Sequence, residues 1–236
     1  MKLRLMIAAM AASTALFALE PVTSENVYGV MRVSDTATTN TVVAVPWVGV
    51  DGNAVTLSNL VSTVTLQEND VVYLYEGTTW YAYKLLGSGV WDPVTTIGNS
   101  TFEQATDADK KALARGAALI LQRGNTVNPV YLCGRNANTA VSTEIQPDTL
   151  TLIANPTAES KEMPVGKEGD EIRVPLNGGG LQIYSIKNGK WGTEVVTTTT
   201  QGGRTKKVRT WTEGCTLAPG KGAWYKSGAT GTTINW

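Results

Sequence analysis

The chain has 236 residues, 42% of them hydrophobic and 17% charged, which is enough apolar material for one large or two small cores and too little charge for a disordered tail. Twenty Lys and Arg balance 20 Asp and Glu, so no net field draws in nucleic acid or an anionic membrane surface. Histidine is absent, which excludes Ser-His and Cys-His nucleophiles, histidine metal sites and histidine acid–base chemistry.

Residues 1–24 read as a signal peptide for export. Lys2 and Arg4 precede the uncharged run Leu5 to Leu19, whose 15 residues fall short of a membrane-spanning helix. Cleavage after Ser24 removes Lys2, Arg4 and Glu20 and leaves 18 basic and 19 acidic residues, a net charge of −1. No second apolar run approaches spanning length, so the mature chain is expected to have no transmembrane span.

Residues 25–135 are expected to form a first β-module. Val71 to Tyr75 and Trp80 to Leu86 are rich in β-branched and aromatic residues and are punctuated by Gly and Ser, the pattern of antiparallel strands. Thr106-Asp-Ala-Asp109 looks like a capping box with Asp in place of Glu, and Gly116 like a helix stop, so one short helix is expected near 101–115. Asn136 to Asp148 is polar and ends in Gln-Pro-Asp, which reads as a linker over 136–148. A second β-module then covers 149–236.

The second module repeats the first at an offset of one hundred positions, Asp70 meeting Asp170, Gly89 Gly189 and Trp91 Trp191. After a four-residue shift, Leu113-Ala-Arg-Gly meets Leu217-Ala-Pro-Gly, and upstream Val45-Pro46 matches Asn155-Pro156. Such an ordered series reads as an internal duplication of a β-meander or sandwich-like module. In the second copy Asn188-Gly189 supplies a tight hairpin turn, and Val195 to Thr200 with Arg204 to Trp211 forms a further hairpin. Ala223 to Lys226 and Thr232 to Trp236 close the module.

Two cysteines, Cys133 and Cys215, remain in an exported chain, where an even count favours a disulfide. Closing a loop of about 80 residues would contribute roughly 4–5 kcal/mol in the chain-entropy account; two separately buried thiols are the alternative.

Familiar site motifs fail on inspection. Gly214 to Lys221 has the wrong spacing for a phosphate-binding loop and precedes a strand, and Gly178-Gly179-Gly180 reads as a hairpin turn. Asp51-Gly-Asn53 and Asp107-Ala-Asp109 fit caps and turns as well as calcium, so neither a metal nor another cofactor is expected. Asp70, Asp92, Asp170 and Glu194 lie near the repeated aromatics, where a glycan-active enzyme would keep paired carboxylates. Asp70 and Asp170 hold equivalent positions, however, which suits two turn braces better than one catalytic pair in two different environments.

The aromatics are the stronger signal. Trp80, Tyr81, Tyr83 and Trp91 recur as Tyr184 and Trp191 in the second copy. In an alternating strand Tyr81 and Tyr83 share one face and Trp80 takes the other. One face packs a core, and the other is available either for a module–module interface or as a platform stacking on sugar rings. Arg204-Thr-Lys206-Lys207-Val-Arg209 divides its cations between two faces, which suits a protected sheet edge better than a polyanion groove.

This order of features resembles secreted bacterial β-rich proteins of unknown function that carry repeated units. In these a leader precedes meanders ending in Leu-x-x-Gly-x-Gly-x-Trp. Leu217-Ala-Pro-Gly-Lys-Gly-Ala-Trp224 has that ending, whereas Leu113 to Ile120 departs from it at the second Gly and at Trp. The resemblance implies a cell-surface or extracellular role and carries over no catalytic residue. The sequence therefore points to a secreted or surface-located, non-enzymatic structural or adhesive protein. A carbohydrate-binding module is the alternative. The partners would be polysaccharide or other copies of the chain, not nucleic acid.

Overall fold

The computed structural model describes residues 28–33, 40–49, 51–62, 66–124, 129–136, 140–164, 166–176, 180–201 and 204–236. The expected signal peptide over 1–24 and the glycines of the expected turns at 178–179 and 202–203 lie outside them. The fold is mostly β and antiparallel throughout.

The first unit contains β1 (Tyr28–Val33), β2 (Asn40–Ala44), β3 (Val55–Thr56), the helix α1 (Leu57–Leu60), β4 (Val71–Glu76) and β5 (Thr79–Leu85). It continues with β6 (Trp91–Val94), β7 (Thr96–Ile97), β8 (Ser100–Thr101), β9 (Ala112–Leu113), β10 (Ala118–Gln122) and β11 (Val130–Arg135). The second unit contains β12 (Ser142–Ile145), β13 (Leu150–Ala154), β14 (Lys161–Glu162), β15 (Glu171–Pro175) and β16 (Leu181–Lys187). It closes with β17 (Lys190–Gln201), β18 (Arg204–Glu213), β19 (Thr216–Leu217), β20 (Gly222–Lys226) and β21 (Thr232–Asn235).

Both units follow one plan. The main sheet of the first runs β2-β10-β4-β5-β6, and that of the second runs β13-β20-β15-β16-β17 with β18 added at the edge. In each, the first strand pairs with the last, β1 with β11 and β12 with β21, and a two-residue ladder joins β3 to β9 and β14 to β19. Gly116 and Gly220 both turn with positive φ, at 87° and 68°, just before the strand that enters the middle of the sheet. The offset of one hundred is not constant. Val72 pairs with Tyr83 but Ile172 pairs with Tyr184, so the inward tyrosines correspond at an offset of 101. A longer connection after β15 takes up the extra residue, and the Asn188-Gly189 turn, with φ of 55° and 74°, restores the register at Trp191.

Alternation assigns each face. In the first sheet Val72, Leu74, Tyr83, Leu85, Leu119 and Leu121 point into a core that α1 closes with Leu57 and Leu60 and β11 with Val130 and Leu132. In the second, Ile153, Ile172, Ile186, Trp191, Ala223 and Tyr225 do the same, covered by Ile145, Met163, Leu217 and Ile234. The opposite faces of the two sheets meet. Val42, Ala44, Ala118 and Ile120 pack on Leu152 and Ala154 in a third apolar cluster. The molecule is thus two sheets face to face, each with its own core on the outer side. Burying each large aliphatic side chain in these clusters contributes about 1.5–3 kcal/mol.

Three expectations are corrected. The helix near 101–115 does not form; the only helix among the described residues is α1, a single turn. Instead Asp107 O accepts both Lys110 N and Lys111 N at 2.9 Å, and Ala112–Leu113 pairs with Val55–Thr56. Pairing with β3 and burial of Ala105, Ala108 and Leu113 override a helical preference that is marginal at this length. The segment 136–148 is not simply a linker, because its Ser142–Ile145 forms β12 and pairs with β21. Cys133 and Cys215 are free thiols: Cys133 lies on β11 in the first unit, while Cys215 is buried in the core of the second. Neither core brings the other sulfur within bonding reach.

Candidate functional site

Asp70 and Asp170 are each 1% exposed. Asp70 Oδ2 accepts Gln67 N at 3.0 Å, its Oδ1 accepts Gly124 N at 2.9 Å, and Arg123 Nε lies 3.4 Å away. Asp170 Oδ2 accepts Lys167 N at 2.7 Å and Tyr225 Oη at 2.6 Å, and its Oδ1 accepts Gly228 N at 2.8 Å. Each carboxylate therefore ties the turn before its strand to the segment that follows the neighbouring strand of the sheet, β10 in the first unit and β20 in the second. They brace separate units and do not face one another. The other two acids stand apart: Asp92 is exposed opposite Lys84, and Glu194 accepts Arg209 Nη1 at 2.8 Å.

Turn roles also absorb the acidic motifs. Asp51 accepts both the backbone and the side-chain amide of Asn53, and the side-chain bond holds its carboxyl below the usual range. Asp107 accepts Lys110 Nζ at 2.8 Å. Among the described residues no group of three metal-ligating side chains occurs.

The aromatics fall as alternation requires, but they do not form an open row. Tyr83 is fully buried, Trp91 is 2% exposed and Trp191 6%, so the expectation that these three stack on a sugar is corrected. Each fills a core. Trp191 Nε1 donates to Pro164 O at 2.6 Å and its ring meets Tyr225 edge-on. Tyr81 packs against the first core with Lys111 Nζ 4.8 Å above its ring, and Tyr184 packs against the second core, where burial raises its hydroxyl pKa. Trp80 takes the other face and lies between the units, 4.8 Å from Tyr75 and 5.7 Å from Trp224, centroid to centroid. Of the two uses open to that face, Trp80 serves the module–module interface.

The junction is further fixed by backbone contact. Ala44 N donates to Gly220 O at 3.0 Å, and Val43 forms a bridge with Lys221. Gly222 permits this approach, because a Cβ there would come within 2.3 Å of Val42 Cγ1. Two clefts flank the seam. One, of about 260 Å3, lies between Val42 and Leu176. The other, of about 390 Å3, is lined by Met31, Trp47, Arg115, Glu159 and Trp236. In it Trp47 Nε1 donates to Leu132 O at 3.2 Å and Trp236 Nε1 to Thr143 Oγ1 at 2.9 Å, which orient both rings. Sequence reasoning did not place Trp47, Trp224 or Trp236 in a site. The signal for Trp47 was its place after Pro46, which aligns with Pro156 of the second unit; that Trp224 and Trp236 face the junction follows only from docking the two units.

The remaining feature is a ribbon. β17 pairs with β16 only from Lys190 to Gly192, then continues with β18 alone through Gln201. The register places Thr193, Val195, Thr197, Val208, Thr210 and Thr212 on one face, with Glu194, Val196, Trp211, Arg209 and Lys207 on the other. Lys187 Nζ sits 5.6 Å from the centre of the Trp211 ring at the ribbon's base. Among the described residues no helix is long and apolar enough to cross a membrane. No family model, curated protein or solved structure matches the chain.

Proposed function

We propose that the chain is an exported, non-catalytic structural or adhesive protein of the cell surface or extracellular space, its two units descended from one duplicated module. One observation carries this reading. The residues best equipped for chemistry or stacking, Asp70, Asp170, Trp91 and Trp191, serve as buried braces and core, while the two units are joined into one body from which the β17–β18 ribbon extends. Such a body presents surface and edges rather than a reaction centre. Export is tested by expressing the full chain with its own N-terminus in a bacterial host, fractionating the cells and measuring intact mass. Loss of about the first 24 residues with recovery outside the cytoplasm supports the reading; an uncleaved cytoplasmic chain refutes export.

A second reading keeps carbohydrate binding but moves it from the strand aromatics to the larger cleft, where Trp47 and Trp236 are half-buried and oriented by their Nε1 bonds. Affinity electrophoresis through polysaccharide gels tests it. Retardation lost in Trp236→Ala with folding intact supports this cleft, and no retardation across a broad panel refutes it.

A further inference from the structure

We infer that the outer edge of β17 beyond Thr193 is an assembly edge, and that its partner is the same strand of a second copy, paired antiparallel about a two-fold axis. The inference deepens the structural reading above by naming the surface and the partner.

The two edges of the ribbon differ in chemistry. β18, on one side, carries Lys206, Lys207 and Arg209 within four positions, so pairing β18 with its own copy would set like charges against each other. β17, on the other side, reads Glu194-Val-Val-Thr-Thr-Thr-Thr-Gln201, with one ionisable side chain, and Arg209 already engages it. Among the described residues no strand pairs with that edge. Val195 and Val196 are 43% and 48% exposed. A long, β-branched, nearly uncharged edge with open backbone donors and acceptors is a template for another strand. Its charge pattern makes it compatible with itself, because a two-fold pairing of β17 brings no like charges opposite one another near the centre of the run.

The energetics favour the same arrangement. A two-stranded ribbon standing in water is marginal, whereas three or more strands with an apolar face are stable. Joining two β17 edges gives the order β18-β17-β17-β18, with the cationic strands outermost as guards. The Thr/Val faces then become one continuous surface of four strands, uncharged along the two central β17 strands, with Lys206 on the outer β18 strands. The partner contributes the edge the ribbon lacks, and closed two-fold pairing stops there rather than growing into a fibre.

Sedimentation velocity of the purified protein across a concentration series tests this, with Val195→Lys/Thr197→Lys on the proposed edge and Thr210→Lys on the guarded strand. Dimers are expected for the wild type, with the dissociation constant raised at least tenfold in the β17 double variant and little changed in Thr210→Lys. Unchanged melting temperature in all three establishes that the cores are intact. A double variant that dimerises like the wild type overturns the assigned edge while leaving self-assembly standing. A wild type that stays monomeric at every concentration overturns the inference altogether. The export measurement is independent of both, so failure of the broader reading is separately visible.

Discussion

Replacing Tyr225 by Phe removes one hydroxyl and tests the brace of the second unit most directly. Tyr225 Oη donates to Asp170 Oδ2 at 2.6 Å, and both side chains are about 1% exposed. A hydrogen bond to a charged group contributes about 1.5–3 kcal/mol. The carboxylate keeps Lys167 N and Gly228 N in the variant, so no further cost follows. Asp170→Ala is harsher, since it leaves the hydroxyl and two backbone donors without their acceptor. At about 1–3 kcal/mol for each orphaned group, discounted where water reaches the half-buried amides, the loss is about 3–5 kcal/mol. For a chain of this size each kcal/mol lowers Tm by about 2–4 °C. The expected drops are therefore about 3–12 °C for Tyr225→Phe and about 6–20 °C for Asp170→Ala. Differential scanning calorimetry of both single variants and the double variant completes a cycle. The double should be less destabilised than the two singles together, by about the value of the shared bond. Costs that add to within about 0.5 kcal/mol would refute the coupling and with it the brace.

Burial pushes the Cys215 thiol from its ordinary 9.0 up to about 12. The folded state keeps a proton that the unfolded chain gives up, so this contribution is whole below pH 9.0 and is lost towards pH 12, at about 1.4 kcal/mol per unit. Denaturant unfolding across that window should show a falling slope that Cys215→Ala flattens; equal slopes count against it. Under denaturing, non-reducing conditions both thiols should titrate, and a missing pair would restore the disulfide. Trp191 Nε1 reaches Pro164 O, whereas Trp91 Nε1 has no partner among the described residues. Trp191→Phe should therefore cost about 0.5–1.5 kcal/mol more than Trp91→Phe by chemical denaturation, and equal costs would contradict the geometry. Gly222→Ala forces a methyl towards Val42 and Ile153 O, within 2.6 Å of the latter, and should destabilise by about 1–3 kcal/mol; a neutral result would mean that the seam is loose.

What was legible in the sequence was local. The Asn188-Gly189 turn, the alternation that turns Tyr81 and Tyr83 inward and Trp80 outward, and the bracing role of Asp70 and Asp170 each rest on a few neighbouring residues. What was not legible depends on distant partners. Lys110 to Leu113 carries helical signals, yet β3, more than fifty positions earlier, supplies the hydrogen bonds that settle it. The cysteine pairing failed for the same reason, since even counting says nothing of which core receives each sulfur. The offset of one hundred, read from Asp, Gly and Trp at the ends of the unit, hid a one-residue slip in β16 because the turns on either side cancel it. The separation of β17 from β16 after Gly192 likewise leaves no mark in a run of Val and Thr.

Two units with one strand order in a single polypeptide also set a problem for folding. The β4–β5 and β15–β16 hairpins insert into slots of the same kind, beside β10 and β20, and each presents an aspartate and an inward tyrosine to its slot. A chain released from denaturant all at once samples exchanged pairings as well as native ones, the failure typical of repeated architectures. Synthesis from the N-terminus removes the competitor, because residues 28–135 can close their sheet before the second hairpin exists. The order in which the ribosome delivers the two units is, on this account, part of how the molecule tells its two halves apart.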